Sequence, residues 1–302
     1  MTLVNSRMPI MLQAERMQRI EGKMTRIQAQ IATGKRFTSP SENPAAANRA
    51  ALLERLETVV EAQGRVIERA RTRLSLSETV IDGASAAMIR LRELALTAAN
   101  ATISAADRLV IATEVQNIRE QMLDYANSRD EAGRYIFAGA RDSRPAYGAV
   151  DEDGPIVWQG AGNGPGAEAA GVRSAAVPRG PDVFGRDQDG VFATVDAFLE
   201  ALEQPDDMLR QEAMDGVLGG LEAGLDGMIT ARARIGAALG RLDVETDRLA
   251  ATRLDIATGL ASAKGLDLTE AIAELQALGL TLAASQQAFA QIFRYSLFDR
   301  LG

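Results

Sequence analysis

Both ends of this 302-residue chain carry apolar residues at alternating intervals of three and four. At the N-terminal end Ile10, Gln13, Met17, Ile20, Met24, Ile27 and Ile31 follow the spacing 3, 4, 3, 4, 3, 4. Glu15, Arg16, Gln18, Arg19, Glu21 and Lys23 fill the intervals, so the stripe is the narrow seam of a coiled coil rather than a broad core face. Near the C-terminal end Ala271, Leu275, Leu278, Leu282, Ser285, Phe289, Ile292 and Ser296 follow 4, 3, 4, 3, 4, 3, 4. Neither stripe can stay exposed along its whole length. The simplest solution is an antiparallel pair in which Ile10, Met17, Ile20, Met24, Ile27 and Ile31 meet Leu275, Leu278, Leu282, Phe289 and Ile292. Closing so long a loop costs entropy that grows only logarithmically with its length. A two-helix seam containing Ala, Ser and Met is weak alone, so neighbouring copies are expected to complete its burial.

Between these ends the composition changes twice. Residues 1–132 hold few glycines, 133–190 are rich in Gly and Pro, and after about residue 207 there is no Pro. Gly34 stands where a left-handed residue would end the first helix. After a loop over 35–43, Asn43-Pro44 reads as an N-cap with Pro at the first helical position. The helical pattern then runs without a break to about residue 98, roughly 80 Å at about 1.5 Å per residue. Such a helix needs packing along its length. Ser104-Ala-Ala-Asp107 resembles a capping box. It opens a returning helix that Gly133 is expected to end. Arg134 to Phe137 and Pro155 to Gln159 read as short strands of a small sheet or hairpin. Phe192, Val195, Phe198, Leu199 and Leu202 suggest a short helix before Pro205. A second long helix begins near Asp207, breaks at Ser262 to Gly265, and restarts at the cap Asp267-Leu-Thr-Glu270.

The expected fold is mainly α: a bundle of long helices with paired terminal coiled-coil helices and a small Gly/Pro-rich insertion containing β structure. Three regions follow. Residues 1–43 plus 262–302 form the terminal coiled coil, 44–133 plus 206–261 the long-helix bundle, and 134–205 the insertion.

Composition removes several chemistries. With no Cys and no His, zinc sites built on those ligands, disulfides, Cys nucleophiles and Ser-His-Asp triads are excluded. A formal net charge of −8 argues against a nucleic-acid binder that tracks phosphates. No run of residues approaches the about 18 apolar residues of a membrane span. Gln13, Glu15 and Arg16 cut short the apolar run from Met8 to Leu12, which therefore fails as a signal peptide. The chain is expected to stay in the cytoplasm or to leave by a route that reads no cleaved signal.

Local motifs reduce to loop chemistry. Asp187-Gln-Asp-Gly190 and Asp151-Glu-Asp-Gly154 begin like calcium loops, but Val191 and Pro155 occupy the third ligand position, so both read as turns. The glycines at 160–166 lack the helix start that a phosphate cradle needs. Asn100-Ala-Thr102 fits a glycosylation sequon but sits at a helix break that explains its Asn. Carboxylates are scattered over polar faces, and none pairs into an acid/base couple. No cofactor, no metal site and no catalytic residue is expected.

Ile31-Ala-Thr-Gly-Lys-Arg-Phe-Thr-Ser-Pro-Ser-Glu-Asn-Pro-Ala-Ala-Ala47 resembles the segment after the first helix of flagellin-like axial proteins. Its Pro-Ser-Glu-Asn-Pro-Ala form is closer to the hook-associated protein 3 branch than to flagellin. Arg134-Tyr-Ile-Phe-Ala-Gly139 resembles a signature of the same family, as do Ala283 to Phe289 and the ending Ser296-Leu-Phe-Asp-Arg-Leu301. The matching positions are Gly34, Arg36, Pro40, Asn43, Pro44, Tyr135, Phe137, Gly139, Ser296, Leu297 and Phe298. The resemblance covers about residues 1–140 and 205–302, and the middle is not diagnostic.

The resemblance implies a non-enzymatic adaptor between hook and filament of the bacterial flagellum. It implies export, without a cleaved signal, through the flagellar type III channel, and a homo-oligomeric ring or tube outside the cell. Its implied partners are the first hook-associated protein, flagellin and a flagellar export chaperone, with no nucleic acid and no membrane span. Two alternatives stay open beside it: a short flagellin forming the filament itself, and a cytoplasmic helical signalling or scaffold module.

Overall fold

A computed structural model describes residues 7–100, 103–149, 154–162, 178–187 and 190–298, with side chains described from Met11 to Gln291 within these. Seven helices and two strands follow in order: α1 (Arg7–Thr33), α2 (Pro44–Ala98), α3 (Ala105–Ala126), β1 (Tyr147–Ala149), β2 (Ile156–Trp158), α4 (Gly180–Val183), α5 (Val191–Glu203), α6 (Asp207–Lys264) and α7 (Leu268–Phe298). The mainly helical fold expected from the sequence is the fold observed. Asp151 to Asp153 of the first expected turn, the glycine-rich run after Gly162 and part of Asn100-Ala-Thr102 lie outside the described residues.

Helix starts follow local chemistry. Asn43 Oδ1 accepts from the Ala46 amide at 3.1 Å, and Pro44 is the first helical residue of α2. Ser104 Oγ accepts from the Asp107 amide at 3.1 Å at the start of α3. Asp206 Oδ1 accepts from the amides of Met208 and Leu209 and starts α6. In each case a side-chain oxygen satisfies amides that the first turn leaves without a carbonyl.

The chain divides into two compact units, Met1–Thr58 with Ala251–Gly302, and Val59–Ala250. The first contains α1, α7 and one end each of α2 and α6 and is described with the site below. In the second, α2 contributes Leu74, Ile81, Ala84, Met88, Leu91 and Ala95 to the core. α3 adds Ile111, Val115, Ile118 and Met122, α5 adds Val195 and Phe198, and α6 adds Met214, Leu221, Met228 and Ile235. All recur at helical intervals, so each helix buries one stripe. Gly220 and Gly224 of α6 let neighbours come close, since a Cβ there would lie 2.6 Å from Thr194 and 2.7 Å from Met88.

The region between α3 and α5 departs from expectation at three points. Helix α3 stops at Ala126 rather than at Gly133. Asn127 leaves the helix because its carboxamide is engaged with the backbone of Tyr147, twenty residues on. Arg134 to Phe137 is not a strand but a chain of turns, with an isolated bridge between Arg129 and Tyr135. The strand that does pair with Ile156–Trp158 is Tyr147–Ala149, antiparallel, with Tyr147 opposite Trp158. The expected strand at 155–159 and the expected helix before Pro205 are present as β2 and α5.

The turns around Tyr135 to Gly139 are nevertheless buried. Phe137 and Ala138 are fully enclosed, and the Phe137 carbonyl accepts from both the Gly180 amide (3.0 Å) and Trp158 Nε1 (3.1 Å). Phe137, Tyr147, Phe184 and Phe192 form an aromatic cluster with ring centroids 5.3–6.3 Å apart. Four of the chain's few aromatic residues thus make this core, using edge and tilted contacts that favour ring packing.

Candidate assembly surface

Helix α1 ends where α7 begins. Gly34 takes φ +66°, the left-handed conformation that a C′ residue needs, and a Cβ there would meet nothing, so the backbone angle alone requires glycine. The chain then pairs with the α6–α7 junction. The Arg36 amide donates to the Lys264 carbonyl (2.8 Å), the Leu266 amide to the Gly34 carbonyl (3.2 Å), and Lys35 and Gly265 form an antiparallel bridge. Gln30 Nε2 donates to the Arg36 carbonyl at 2.7 Å and closes the turn from inside. Asp267 Oδ1 accepts from the amides of Thr269 and Glu270 and starts α7. The break expected at Ser262 to Gly265 is therefore confined to Gly265, because α6 stays helical to Lys264.

From this clasp the two helices run antiparallel. Ile27 and Ala271 are buried side by side at its base. Met17, Ile20, Met24 and Ile31 of α1, and Leu275, Leu278, Leu282 and Phe289 of α7, are half-buried, while most residues between them are exposed. The structure brings the two seams together in the sense expected, but one helix covers each only in part. Met24 reaches Gly279, with its Cε 4.0 Å from where a Cβ would stand. Ile10 and Ile292 lie on α1 and α7, with side chains outside the described residues, as are those of Ser296, Leu297 and Phe298.

The loop from Lys35 to Asn43 is tied down by Glu42. Its carboxylate accepts from the Thr38 amide at 3.2 Å and pairs with Arg26 at 3.2 Å. The Thr38 amide and, with it, the Arg26 charge hold the Glu42 carboxyl below its usual value. Pro40 lies in the turn closed by the Glu42 amide on the Ser39 carbonyl, and Asn43 and Pro44 cap α2 as described. Lys264 pairs with Glu54, and Gly259 leaves room for Leu53, which fastens the end of α6 to the start of α2. Tyr135, Phe137 and Gly139 belong to the other unit, where Gly139, at φ +67°, bridges to Ala161. A Cβ on Gly139 would lie 2.4 Å from the Ala161 carbonyl.

Sequence reasoning missed the backbone clasp at 34–36 and 264–266, because amide-to-carbonyl pairing leaves no side-chain signal. It also missed Glu42 as the tie between Arg26 and Thr38, though a Glu after Thr-Ser-Pro-Ser in a charged loop was a usable hint. Among the described residues no group of acidic side chains is placed to hold a metal ion, and no helix is long and apolar enough to cross a membrane.

Comparison with known proteins gives this arrangement a family. The model of the bacterial flagellin N-terminal helical region matches residues 4–142. Flagellar hook-associated protein 3 of Salmonella typhimurium is 34% identical over 236 residues, which is 70% of this chain and 72% of that protein. The protein of the same name from Escherichia coli is 31% identical over 238 residues, 71% of this chain and 73% of that one. A solved structure of flagellar hook associated protein-3 from Legionella pneumophila shares the fold, with a TM-score of 0.63 at 16% identity, over 70% of this chain and 98% of that one. The chain belongs to the flagellar hook-associated protein 3 family.

Proposed function

We propose that this chain is a structural adaptor of the bacterial flagellum at the junction of hook and filament, with no enzymatic role. The relatives' names support the place in the flagellum. The observation that carries the mechanism is the α1–α7 pair, whose described seam residues are mostly half-covered. A half-covered apolar seam gains stability when other helices bury it, at about 25 cal/mol per Å² of apolar surface removed from water. Assembly is thereby driven by the same residues that pair the termini: Ile10, Met17, Ile20, Met24, Ile27, Ile31, Leu275, Leu278, Leu282, Phe289 and Ile292.

In this reading residues 1–43 plus 262–302 form the inner layer of a homo-oligomeric ring or tube. Residues 44–133 plus 206–261 form the next layer, and 134–205 points outward. The first hook-associated protein lies on one side and flagellin on the other. The chain reaches this place by flagellar export without a cleaved signal, and an export chaperone holds the C-terminal helix beforehand. The motif positions Gly34, Arg36, Pro40, Asn43 and Pro44 serve the clasp and the loop after it. Tyr135, Phe137 and Gly139 serve the core under the insertion.

The test is a charge in the seam. Ile20→Asp or Leu282→Asp should cost several kcal/mol of the contact, from lost burial plus an unpaired charge. Bacteria carrying either as their only copy should swim poorly and release flagellin into the medium. Normal filaments on such cells would overturn the proposal. Extension of the purified chain into long filaments by itself would point instead to a flagellin.

A further inference from the structure

The terminal helix pair presents two unlike outer faces. Residues 1–36 hold seven basic side chains and two acidic ones, in a chain whose net charge is −8. On the outer face of α1, Arg19 turns to Glu15 and Arg26 to Glu42. Arg16 and Lys23, seven residues apart on one exposed face, have no carboxylate partner among the described residues. Helix α7 is the reverse. From Leu275 to Phe293 it carries no charge at all, and beyond the seam it exposes Ala273, Ala277, Leu280 and Ala284. Ile272 and Leu280 are 45% and 75% exposed. At the foot of this apolar face stand Glu270 and Glu274, one turn apart, exposed and without a cationic partner among the described residues. They line an open groove of about 380 Å³ together with Ile27, Ala271, Gln30 and Arg36.

The geometry points to a second copy of this chain as the occupant of the α7 outer face, with its Arg16 and Lys23 on Glu270 and Glu274. The inference rests on the assembly proposed above and names its side-to-side contact. Charge complementarity supports it: Arg16 and Lys23 stand on one helix of the pair, and Glu270 and Glu274 on the other. Register supports it too. Ile27 lies beside Ala271, so in the antiparallel pair Lys23 stands level with about residue 275. Arg16 stands level with about residue 282, at ~1.5 Å per residue. A copy laid alongside in the same orientation, offset by about 10 Å, carries both cations to the two carboxylates. The two outer faces are different surfaces, so the contact is head-to-tail and propagates from copy to copy, as a closed ring requires. The carboxylates set the register, and the uncharged face beyond them can be covered without burying an unpaired charge.

The experiment uses two charge-reversed chains in a flagellated host lacking its own copy. One is R16E/K23E and the other E270K/E274K, each made as the full chain with helix content checked by circular dichroism. Alone, each sets like charges against each other between copies, and the number of attached filaments should fall at least tenfold. Co-expressed, they alternate with opposite charges at every contact and should restore filaments. A pairing within one chain would not be rescued by mixing, so failure of the mixture overturns the inference, as do normal filaments on either variant alone. Because the chain has no cysteine, K23C and E270C chains co-expressed should also give disulfide-linked dimers, and monomer alone would count against the contact. If Ile20→Asp cells are bare while the charge variants are normal, only this contact fails. If Ile20→Asp cells are normal, the proposed function itself fails.

Discussion

Asn127 holds the backbone of Tyr147 on both sides. Its Oδ1 accepts from the Tyr147 amide at 2.9 Å, and its Nδ2 donates to the Tyr147 carbonyl at 2.9 Å. One carboxamide thereby does what a neighbouring strand would do and fixes where β1 starts. Tyr147 is buried, donates its hydroxyl to the Gly185 carbonyl at 2.5 Å, and packs on Phe184 and Phe192. Burial, then the charges of Asp182 and Asp187, push the Tyr147 hydroxyl well above its ordinary value, so it stays a donor. Asn127→Ala leaves an amide and a carbonyl unsatisfied in a part-buried site. It should cost about 1–3 kcal/mol per orphaned group, read as a lowered urea midpoint. Asn127→Asp keeps the acceptor and loses the donor, so its midpoint should lie between those of Asn127→Ala and the unchanged chain. A midpoint for Asn127→Ala equal to the original would show that the carboxamide is dispensable.

Glycines of similar appearance should respond with opposite signs. At Gly139 a side chain meets both a positive φ and a carbonyl 2.4 Å from its Cβ. Backbone cannot give way cheaply, so Gly139→Ala should destabilise by more than the about 1 kcal/mol of the φ penalty alone. At Gly279 a Cβ would meet, among the described residues, the flexible end of Met24 at ordinary van der Waals distance. There Gly279→Ala removes unfolded-state freedom from a helix interior and should stabilise by about 0.5–1 kcal/mol. Thermal unfolding of the two single variants decides the matter. Shifts of the same sign would contradict this account.

How far the sequence could be read depended on the range of the interaction. Asn43, Ser104 and Asp267 cap their helices as their neighbours along the chain suggest, because a cap is complete within four residues. The two heptads also announced their pairing, since each needs a partner stripe and the other is the only one of like length. Features made by distant segments were silent. Asn127 and Tyr147 are twenty residues apart, so the end of α3 and the true strand opposite β2 could not be read from either alone. Arg134 to Phe137 alternates like a strand, yet it is drawn into turns because the Phe137 carbonyl serves Gly180 and Trp158 at once. In the candidate site the side chains of the seam were legible, but the backbone clasp at Gly34 and Leu266 was not.

Buried seam positions should be graded by how much the single chain already covers them. Ile27 is 6% exposed in this chain, whereas Ile20 is half-buried and would be covered by other helices in the proposed assembly. Ile27→Ala should therefore lower the stability of the isolated chain by about 2–4 kcal/mol, as a large-to-small change in a packed site does. Ile20→Ala should lower it by clearly less, while harming filament attachment at least as much. Urea unfolding of the purified chain and filament counts on cells separate the two effects. Equal losses of chain stability would mean that the seam is closed without neighbours.

Acid should weaken the fold through its carboxylates and not through any group that titrates near neutrality. The chain has no His, so no imidazole changes charge between about pH 8 and about pH 5. Burial pushes the Asp182 carboxyl up, but the Arg179 side chain and amide, helped by the Arg234 charge, outweigh this and hold it below the ordinary 3.8. Asp130 is the same case: burial raises it, and the Arg134 amide and guanidinium more than offset the rise. A carboxyl whose folded value is depressed binds protons more readily in the unfolded chain. Its contribution is then fully present above the unfolded value, and it is lost as pH falls through the folded value. The urea midpoint should accordingly be flat from about pH 8 to about pH 5 and fall below about pH 4. Asp130→Asn and Asp182→Asn together should lower the midpoint at neutral pH and make its acid slope shallower, because the groups that lose their partners on protonation are gone. A slope as steep as the original would assign the acid sensitivity to other carboxylates.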